Sequence, residues 1–173
     1  MDKVNTHPTT LTCFTPYDVR GELGVNLDAA IAYRIGRATA QHFQATNIVI
    51  GFDARETSPE LAAAVIRGIC DTGSNVISIG LAGTEEMYWA VTEFNACASI
   101  EITASHNPIN YNGLKIVKLG SQPLDDQEDF QAIKTLAENQ TWVENSSKGS
   151  VQDISKEARE KYVQLDTGNA LEQ

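Results

Sequence analysis

Short apolar segments alternate with amphipathic helical patterns along most of this chain. The segment Asn47–Phe52 contains Ile48, Val49 and Ile50 in a row, as expected for a parallel strand that is covered on both faces. Further strands are predicted over 75–79, 96–102 and 114–118, and helices over 26–43, 58–72, 84–95 and 125–138. This order predicts an α/β sandwich with helices on both faces of a mostly parallel sheet. The strand over 114–118 is expected to run antiparallel to its predecessor, because no helix separates the two.

Residues that favour turns and helix caps set the remaining element boundaries. Leu11–Phe14 is predicted to be a short first strand, and 17–24 a loop with two glycines. Asn26 is the predicted N-cap of the first helix. Ser58 and Pro59 fit the N-cap and first-turn positions of the second helix.

The chain divides into three predicted parts. Residues 1–10 are polar and are expected to form a mobile tail. Residues 11–150 carry the alternating pattern and form the main domain. Residues 151–173 are expected to act as a linker, with a last helix that begins at Ser155 and fades by Asp166.

Charge and composition argue against two classes of function. The 23 acidic and 13 basic residues give a net charge of −10, which argues against nucleic-acid binding through a broad basic surface. A small phosphorylated ligand needs only a local cluster of donors. The sequence shows no transmembrane run and no signal peptide, and its three cysteines form no Cys-x-x-Cys pair. We therefore expect a cytoplasmic protein with reduced thiols and no membrane partner.

The segment Thr103–Pro108 carries the strongest chemical signal. It places Ser105 directly after a predicted strand, in a loop stiffened by Pro108, and Lys115 follows ten residues later. Loops at the carboxyl ends of strands carry function on open α/β sheets, so this arrangement suits a reactive serine. The alternative is a serine whose hydroxyl only hydrogen-bonds a turn.

Two basic side chains and a histidine could serve this serine. His106 adjoins Ser105, but neighbours in an extended loop point apart and Gly-x-Ser-x-Gly is absent, so a hydrolase relay is not favoured. Arg20 can grip phosphate in two-pronged geometry, or it can be one half of a structural pair with Asp18. Lys115 fits a charge clamp or an acid/base role, or it is an exposed residue at a strand end.

A second acidic and basic pair, Asp53 and Arg55, is predicted to be structural. Arg55 follows the second strand, and we expect it to brace the serine loop rather than to bind a ligand. The acidic run Asp125–Asp129 lies at a helix start, where the helix dipole explains it without a metal.

Three segments together resemble a known family. Thr103–Pro108 with Asn112–Lys115 is similar to the phosphoserine loop of the α-D-phosphohexomutases. Phe14–Gly21 and Gly51–Arg55 are similar to two other segments of that family, in the family's order. The resemblance runs from about residue 11 to 163 and is closest to bacterial phosphomannomutases of surface-polysaccharide synthesis. It implies a three-layer α/β/α first domain with a mixed sheet, followed over 151–173 by the start of a truncated second domain.

The resemblance also implies a reaction. A phosphate on Ser105 would pass to a hexose 1- or 6-phosphate, through a hexose 1,6-bisphosphate that also acts as an activator. Tyr17, Arg20 and His106 would contact phosphate or sugar, and Lys115 would also transfer protons. Mg²⁺ would be bound through the phosphate on Ser105, with carboxylate ligands from a domain that this chain lacks.

The alternatives are a phosphoglucomutase-type enzyme or a non-catalytic fragment that at most binds phosphate. Only the resemblance favours mannose over glucose, since the residues that would select the sugar are not in this sequence. Apolar surface left by missing domains is expected to favour self-association.

Overall fold

The computed structural model describes residues 9–171, in which a single mixed sheet is covered by helices. The strands are β1 (Val19–Glu22), β2 (Asn47–Phe52), β3 (Asn75–Leu81), β4 (Ala98–Ile102), β5 (Tyr111–Lys118), β6 (Gln122–Pro123) and β7 (Val151–Asp153). The helices are α1 (Ala29–Phe43), α2 (Ser58–Asp71), α3 (Thr84–Glu93), α4 (Gln131–Asn139) and α5 (Ser155–Leu171).

The strand order is β1-β5-β4-β2-β3-β7, and β6 pairs with the outer part of β5. The strands β4, β2, β3 and β7 are parallel, whereas β5 is antiparallel to β4 and to β1. The antiparallel arrangement of β4 and β5 confirms the prediction made from the absence of a helix between them. The parallel strands bring the carboxyl ends of β2 and β4 to one edge of the sheet.

Each face of the sheet has its own apolar core. Ala98, Ile100 and Ile102 of β4 pack into a core shared with α1, α2 and α4. The opposite core contains Met87, Ala90 and Val91 of α3 together with Ala158 of α5. Alternate β4 residues therefore face different layers, and the three-layer α/β/α sandwich expected from the resemblance is confirmed.

The amino-terminal boundaries differ from the prediction. Leu11–Phe14 forms no strand, apart from one bridge between Phe14 and Val19, and β1 lies inside the predicted loop 17–24. The chain reverses because the Thr15 hydroxyl bonds the backbone carbonyl and the carboxylate of Asp18, at 2.9 and 2.6 Å. After this turn, the residues of β1 lie beside β5 and pair with it.

The N-cap of α1 is Asp28, not Asn26. The Asp28 carboxylate accepts a hydrogen bond of 2.8 Å from the backbone N–H of Ile31. Asn26 instead accepts from the backbone N–H of Glu22 at 2.7 Å. The prediction was wrong because asparagine and aspartate both cap helices well. The folded turn decides between them, since it uses the Asn26 side chain for a hydrogen bond to Glu22 and leaves Asp28 to cap the helix.

The carboxyl-terminal part adds structure that the sequence pattern missed. A π-helical turn at Asp126–Phe130 precedes α4, and α5 continues to Leu171 instead of fading by residue 166. The strand β7 pairs with β3, with Val151 opposite Val76. It lies just beyond residue 150, and the domain boundary proposed there remains a prediction. No helix within 9–171 is long and apolar enough to cross a membrane.

Candidate active site

Residues 103–110 form a loop, called here the serine loop, at the carboxyl end of β4. Ser105 is exposed and has φ of +54°, a left-handed conformation that is uncommon for residues other than glycine. Its backbone N–H donates to the Thr103 hydroxyl at 3.0 Å, and the N–H of Asn107 donates to the carbonyl of Ala104 at 3.0 Å. The side chain of Thr103 thus supports the turn, while the Ser105 hydroxyl makes no hydrogen bond within the described part of the chain. The surrounding structure holds a free hydroxyl in a strained, exposed position.

Arg55 braces the serine loop, as predicted. Asp53 orients it by accepting from its backbone N–H at 3.0 Å and lying 3.7 Å from its Nε. The two terminal nitrogens of the guanidinium donate to the backbone carbonyls of Ser105 at 3.2 Å, Asn107 at 2.5 Å, Pro108 at 2.8 Å and Tyr111 at 3.2 Å. One side chain therefore ties both ends of the exposed segment to the end of β2.

Arg20 reaches the same loop from β1. Its Nη1 donates to the Ala104 carbonyl at 2.7 Å and to Asn107 Oδ1 at 2.5 Å. Its Nη2 pairs with the Asp18 carboxylate at 2.8 Å, so Asp18 holds Arg20 as the sequence suggested. Both terminal nitrogens are committed to the protein, and Nε is buried with no partner among the described residues. The geometry supports the structural alternative, and the phosphate contact remains a prediction.

Lys115 lies half-buried on β5, directly opposite Glu101 of β4. It lines a cavity of about 240 Å³ together with Tyr17, Asp18 and Tyr88. Its ammonium group makes no hydrogen bond or ion pair to any residue in the described range, so it is available to a ligand. Tyr17 is 88% exposed, and the structure thus brings two of the predicted site residues to one cavity.

Tyr88 was missed by the sequence analysis. It lies on α3 next to Met87, which is buried in the core, and only part of its side chain is covered. The sequence does not indicate that Tyr88 lies near Lys115. That proximity depends on how α3 packs against the sheet, which cannot be derived from the sequence pattern. His106 is exposed in the serine loop and lies outside the lining of this cavity.

The Asn-Gly pair that precedes Leu114 has a structural role. The buried Asn112 amide donates to the hydroxyls of Thr57 and Ser58 at 2.9 and 3.0 Å, which joins β5 to the start of α2. At Gly113, a Cβ would lie 2.0 Å from the carbonyl oxygen of Val19. Glycine is therefore required for β1 to approach β5 and carry Arg20 to the serine loop.

The described residues contain no group of three or more acidic, histidine or cysteine side chains that could hold a metal ion. A phosphate on Ser105 would offer such ligands, because phosphate oxygens are preferred ligands of this ion. That contribution remains a prediction.

Comparisons with known proteins agree with the fold and identify a family. The family model for phosphoglucomutase/phosphomannomutase, alpha/beta/alpha domain I, matches residues 12–144. A phosphomannomutase of Klebsiella pneumoniae is 45% identical over 149 residues, which cover 85% of this chain and 95% of that protein. A phosphomannomutase of Escherichia coli is also 45% identical over 149 residues, but they cover only 33% of its length.

Solved structures give the same result. A phosphoglucomutase/phosphomannomutase family protein from Burkholderia thailandensis has a TM-score of 0.72 and 29% identity, over 82% of this chain and 32% of that one. A putative phosphomannomutase from Thermus thermophilus has the same TM-score at 23% identity, which supports the fold alone. This chain belongs to the phosphoglucomutase/phosphomannomutase family, and the part that it shares with the family is domain I. It spans about a third of the Escherichia coli relative.

Proposed function

We propose that this chain is the serine-bearing domain of a phosphomannomutase that interconverts mannose 6-phosphate and mannose 1-phosphate. The observation that carries the proposal is the exposed hydroxyl of Ser105, which has no hydrogen bond to the described residues and lies in a loop held by two arginines. Relatives at 45% identity are named phosphomannomutases, which favours mannose over glucose.

The proposed reaction balances as two phosphoryl transfers. A hydroxyl oxygen of the hexose phosphate attacks phosphorus, the bond from phosphorus to Ser105 Oγ breaks, and the hydroxyl proton passes to a base. In the second transfer, Ser105 Oγ attacks the other phosphorus of the hexose 1,6-bisphosphate, the bond from that phosphorus to the hexose oxygen breaks, and the hexose oxygen takes up a proton. Such transfers depend mainly on positioning and on neutralising charge, and the rigid serine loop suits that requirement.

Each site residue has a defined part in this proposal. Lys115 supplies a free cation to the transferring phosphoryl group, and its ammonium can donate a proton to the oxygen that leaves phosphorus. Tyr17 and His106 are exposed and can contact sugar or phosphate. Arg20 positions the loop, and its Nη2, which has one acceptor among the described residues for two N–H groups, could also contact a phosphate.

Within residues 9–171, magnesium would be held through a phosphate on Ser105, with carboxylates supplied by the remainder of the protein. When bound, Mg²⁺ would neutralise negative charge on the phosphoryl oxygens. The exposure and the free hydroxyl of Ser105 leave room for that phosphate.

We also propose a cellular location and a pathway. By resemblance, the protein would act in the cytoplasm, in the synthesis of surface polysaccharide, with hexose 1,6-bisphosphate as activator. Ile109 in the serine loop and Val25 after β1 are 79% and 74% exposed, and such apolar surface would favour self-association or contact with further domains.

A coupled mutase assay on the full protein carrying this chain tests the proposal. It uses mannose 1-phosphate, Mg²⁺ and a hexose bisphosphate. Ser105→Ala should nearly abolish turnover. The matched control is Ser121→Ala, because Ser121 also has a positive φ, of +58°, but lies after β5. Normal turnover by the Ser105→Ala variant would overturn the proposal.

A further inference from the structure

Ser58, the first residue of α2, is fully buried and has no part in the reaction proposed above. The sequence pattern suggested that it caps this helix, but the N-cap is Thr57. The Ser58 hydroxyl instead donates to Asp53 Oδ1 at 2.5 Å and accepts from the amide nitrogen of Asn112 at 3.0 Å. Because a hydroxyl carries one proton, that proton is used on Asp53. Ser58 therefore joins the end of β2 to β5.

The side chain of Asn112 is fixed on both of its ends. Its amide nitrogen has two N–H groups, and they donate to the hydroxyls of Thr57 at 2.9 Å and Ser58 at 3.0 Å. Its Oδ1 accepts from the backbone N–H of Gly113 at 2.9 Å. Asn112 is fully buried as well, so no water competes for these bonds. It is a permanent donor to Ser58.

These contacts close into a ring, called here the Ser58 ring. Asp53 Oδ1 accepts from Ser58 and also from the backbone N–H of Arg55 at 3.0 Å. Arg55 Nη1 donates at 3.2 Å to the carbonyl of Tyr111, which directly precedes Asn112. Every link of the ring other than the peptide bonds is a direct hydrogen bond.

The Ser58 ring controls the orientation of the guanidinium that holds the serine loop. The other acceptors of Arg55 are three carbonyls of that loop, among them the carbonyl of Ser105. Asp53 orients Arg55, and Asp53 is itself oriented by the hydroxyl of Ser58. A buried polar network in which one member is missing leaves its partners unsatisfied and loosens them. Loss of the Ser58 hydroxyl would therefore reach the serine loop through Asp53 and Arg55.

Thr57 allows this role to be separated from simple anchoring of α2. Its hydroxyl accepts from the same amide of Asn112, at a similar distance. It has no hydrogen bond to Asp53 or Arg55, which both lie in the described part of the chain. Loss of the Thr57 hydroxyl would weaken the contact between β5 and α2 but leave the route to the serine loop intact.

We propose that Ser58 is a positioning residue for the serine loop and acts through Asp53 and Arg55. Asn112 completes the arrangement, because its donated hydrogen bond keeps the Ser58 proton directed at Asp53. Ser58 is buried behind the loop and contacts no ligand. The inference deepens the proposed function and rests on it, since it assumes that the serine loop is the reacting element.

The first test is amide hydrogen exchange of the serine loop in wild type, Ser58→Ala and Thr57→Ala. The N–H groups of Asn107 and Tyr111 donate within this segment, each at 3.0 Å, and report on its opening. Exchange should be about tenfold faster in Ser58→Ala, the effect expected for one lost buried hydrogen bond. It should stay near wild type in Thr57→Ala. Amides of β3 serve as the internal reference for overall stability.

Two results of this exchange experiment would overturn the proposal. One is a Ser58→Ala variant whose loop exchanges at the wild-type rate relative to β3. The other is an equal acceleration in Ser58→Ala and Thr57→Ala, which would show that the contact between β5 and α2 matters and the bond to Asp53 does not.

The second test is a double-mutant cycle with Arg55→Lys. If Ser58 acts through Arg55, Ser58→Ala should add little to loop exchange once the guanidinium is gone, so that the two effects are not additive. Effects that multiply in the double variant would show that Ser58 reaches the loop by a different route, and the proposal would fail.

The third test is the mutase assay on the full protein carrying this chain. A displacement of about 1 Å can cost about a hundredfold in rate, and loss of one support should lower kcat about tenfold. The KM for mannose 1-phosphate should stay within about twofold of wild type, because Ser58 contacts no ligand. Thr57→Ala should keep both constants. A loosened loop with unchanged kcat would overturn the proposed function of the loop, whereas a loop that is not loosened would overturn the role of Ser58.

Discussion

The guanidinium of Arg55 lies 2.5 Å from the backbone carbonyl oxygen of Asn107. This bond crosses from the end of β2 to the loop after β4, and three further carbonyls share the same side chain. The position of the Ser105 hydroxyl therefore depends on a residue fifty positions earlier.

Replacing Arg55 by lysine should lower turnover strongly while leaving the fold intact. A lysine ammonium has no planar fork and cannot hold four carbonyls at once. Misplacement of a reacting group by about 1 Å can cost about a hundredfold in rate, and we expect a loss of that order in the mutase assay. Arg67→Lys on the exposed face of α2 is the matched control. Equal activity of the two variants would contradict the bracing role.

Lys115→Met should reduce turnover without destabilising the domain, because its ammonium group makes no described contact that the fold requires. Loss of an acid/base group costs about 10²–10⁴-fold, and turnover should fall within that range. Lys156→Met, on the first turn of α5 and away from the serine loop, should leave turnover unchanged. A Lys115→Met variant with near-normal turnover would support the alternative of an exposed strand-end lysine.

Gly113→Ala should destabilise the fold, because the new Cβ would lie 2.0 Å from the backbone oxygen of Val19. Overpacking against backbone costs about 1–3 kcal/mol, measurable by urea unfolding. At Gly83, an added Cβ would meet no atom within 4 Å beyond its chain neighbours, and alanine should cost about 1 kcal/mol or less, through the weaker N-cap. A Gly113→Ala variant as stable as the Gly83→Ala variant would contradict the close approach of β1 and β5.

Asp129 should make stability depend on pH in the acid range. Burial acts to raise its pKa, but hydrogen bonds from His42 at 2.9 Å, the backbone of Asp125 at 2.8 Å and Lys118 at 3.0 Å outweigh burial and lower it. The unfolded chain therefore takes up this proton first, and the stabilisation is lost as pH falls through the folded value.

The check on Asp129 is urea unfolding of wild type and Asp129→Asn over about pH 2–7. The advantage of wild type should be constant above the ordinary aspartate pKa and should shrink below it. An advantage that stays constant down to the lowest pH would show that Asp129 is not held ionised.

The sequence predicted the layers because strands such as Asn47–Phe52 and helices such as Ser58–Asp71 have clear periodicity. The N-cap of this helix is Thr57 and not Ser58 as predicted, so the start was wrong by one residue. The sequence pattern missed β1 and β7, which have four and three residues and lie at the edges of the sheet. These short strands are defined by backbone hydrogen bonds to a neighbouring strand, which a pattern of apolar residues does not reveal. The same limit applies to Asn26 and Asp28, which have similar capping preferences.

In the candidate site, too, the sequence indicated some residues and missed others. Ser105 and Lys115 were proposed as site residues because they lie in two motif segments that are close in the sequence, and their roles stay predictions. The bracing role of Arg55 could be predicted because Arg55 follows a strand end. Tyr88 could not be found, because its position depends on how α3 packs against the sheet.

The most direct test of the central claim is to locate phosphate on the full protein carrying this chain. The protein would be incubated with hexose 1,6-bisphosphate and Mg²⁺ and then mapped by peptide mass spectrometry, with Ser105→Ala in parallel. The account predicts one phosphate on Ser105 in the wild type and none on the corresponding peptide of the variant. Turnover without phosphate on Ser105, or phosphate on a different residue, would contradict it.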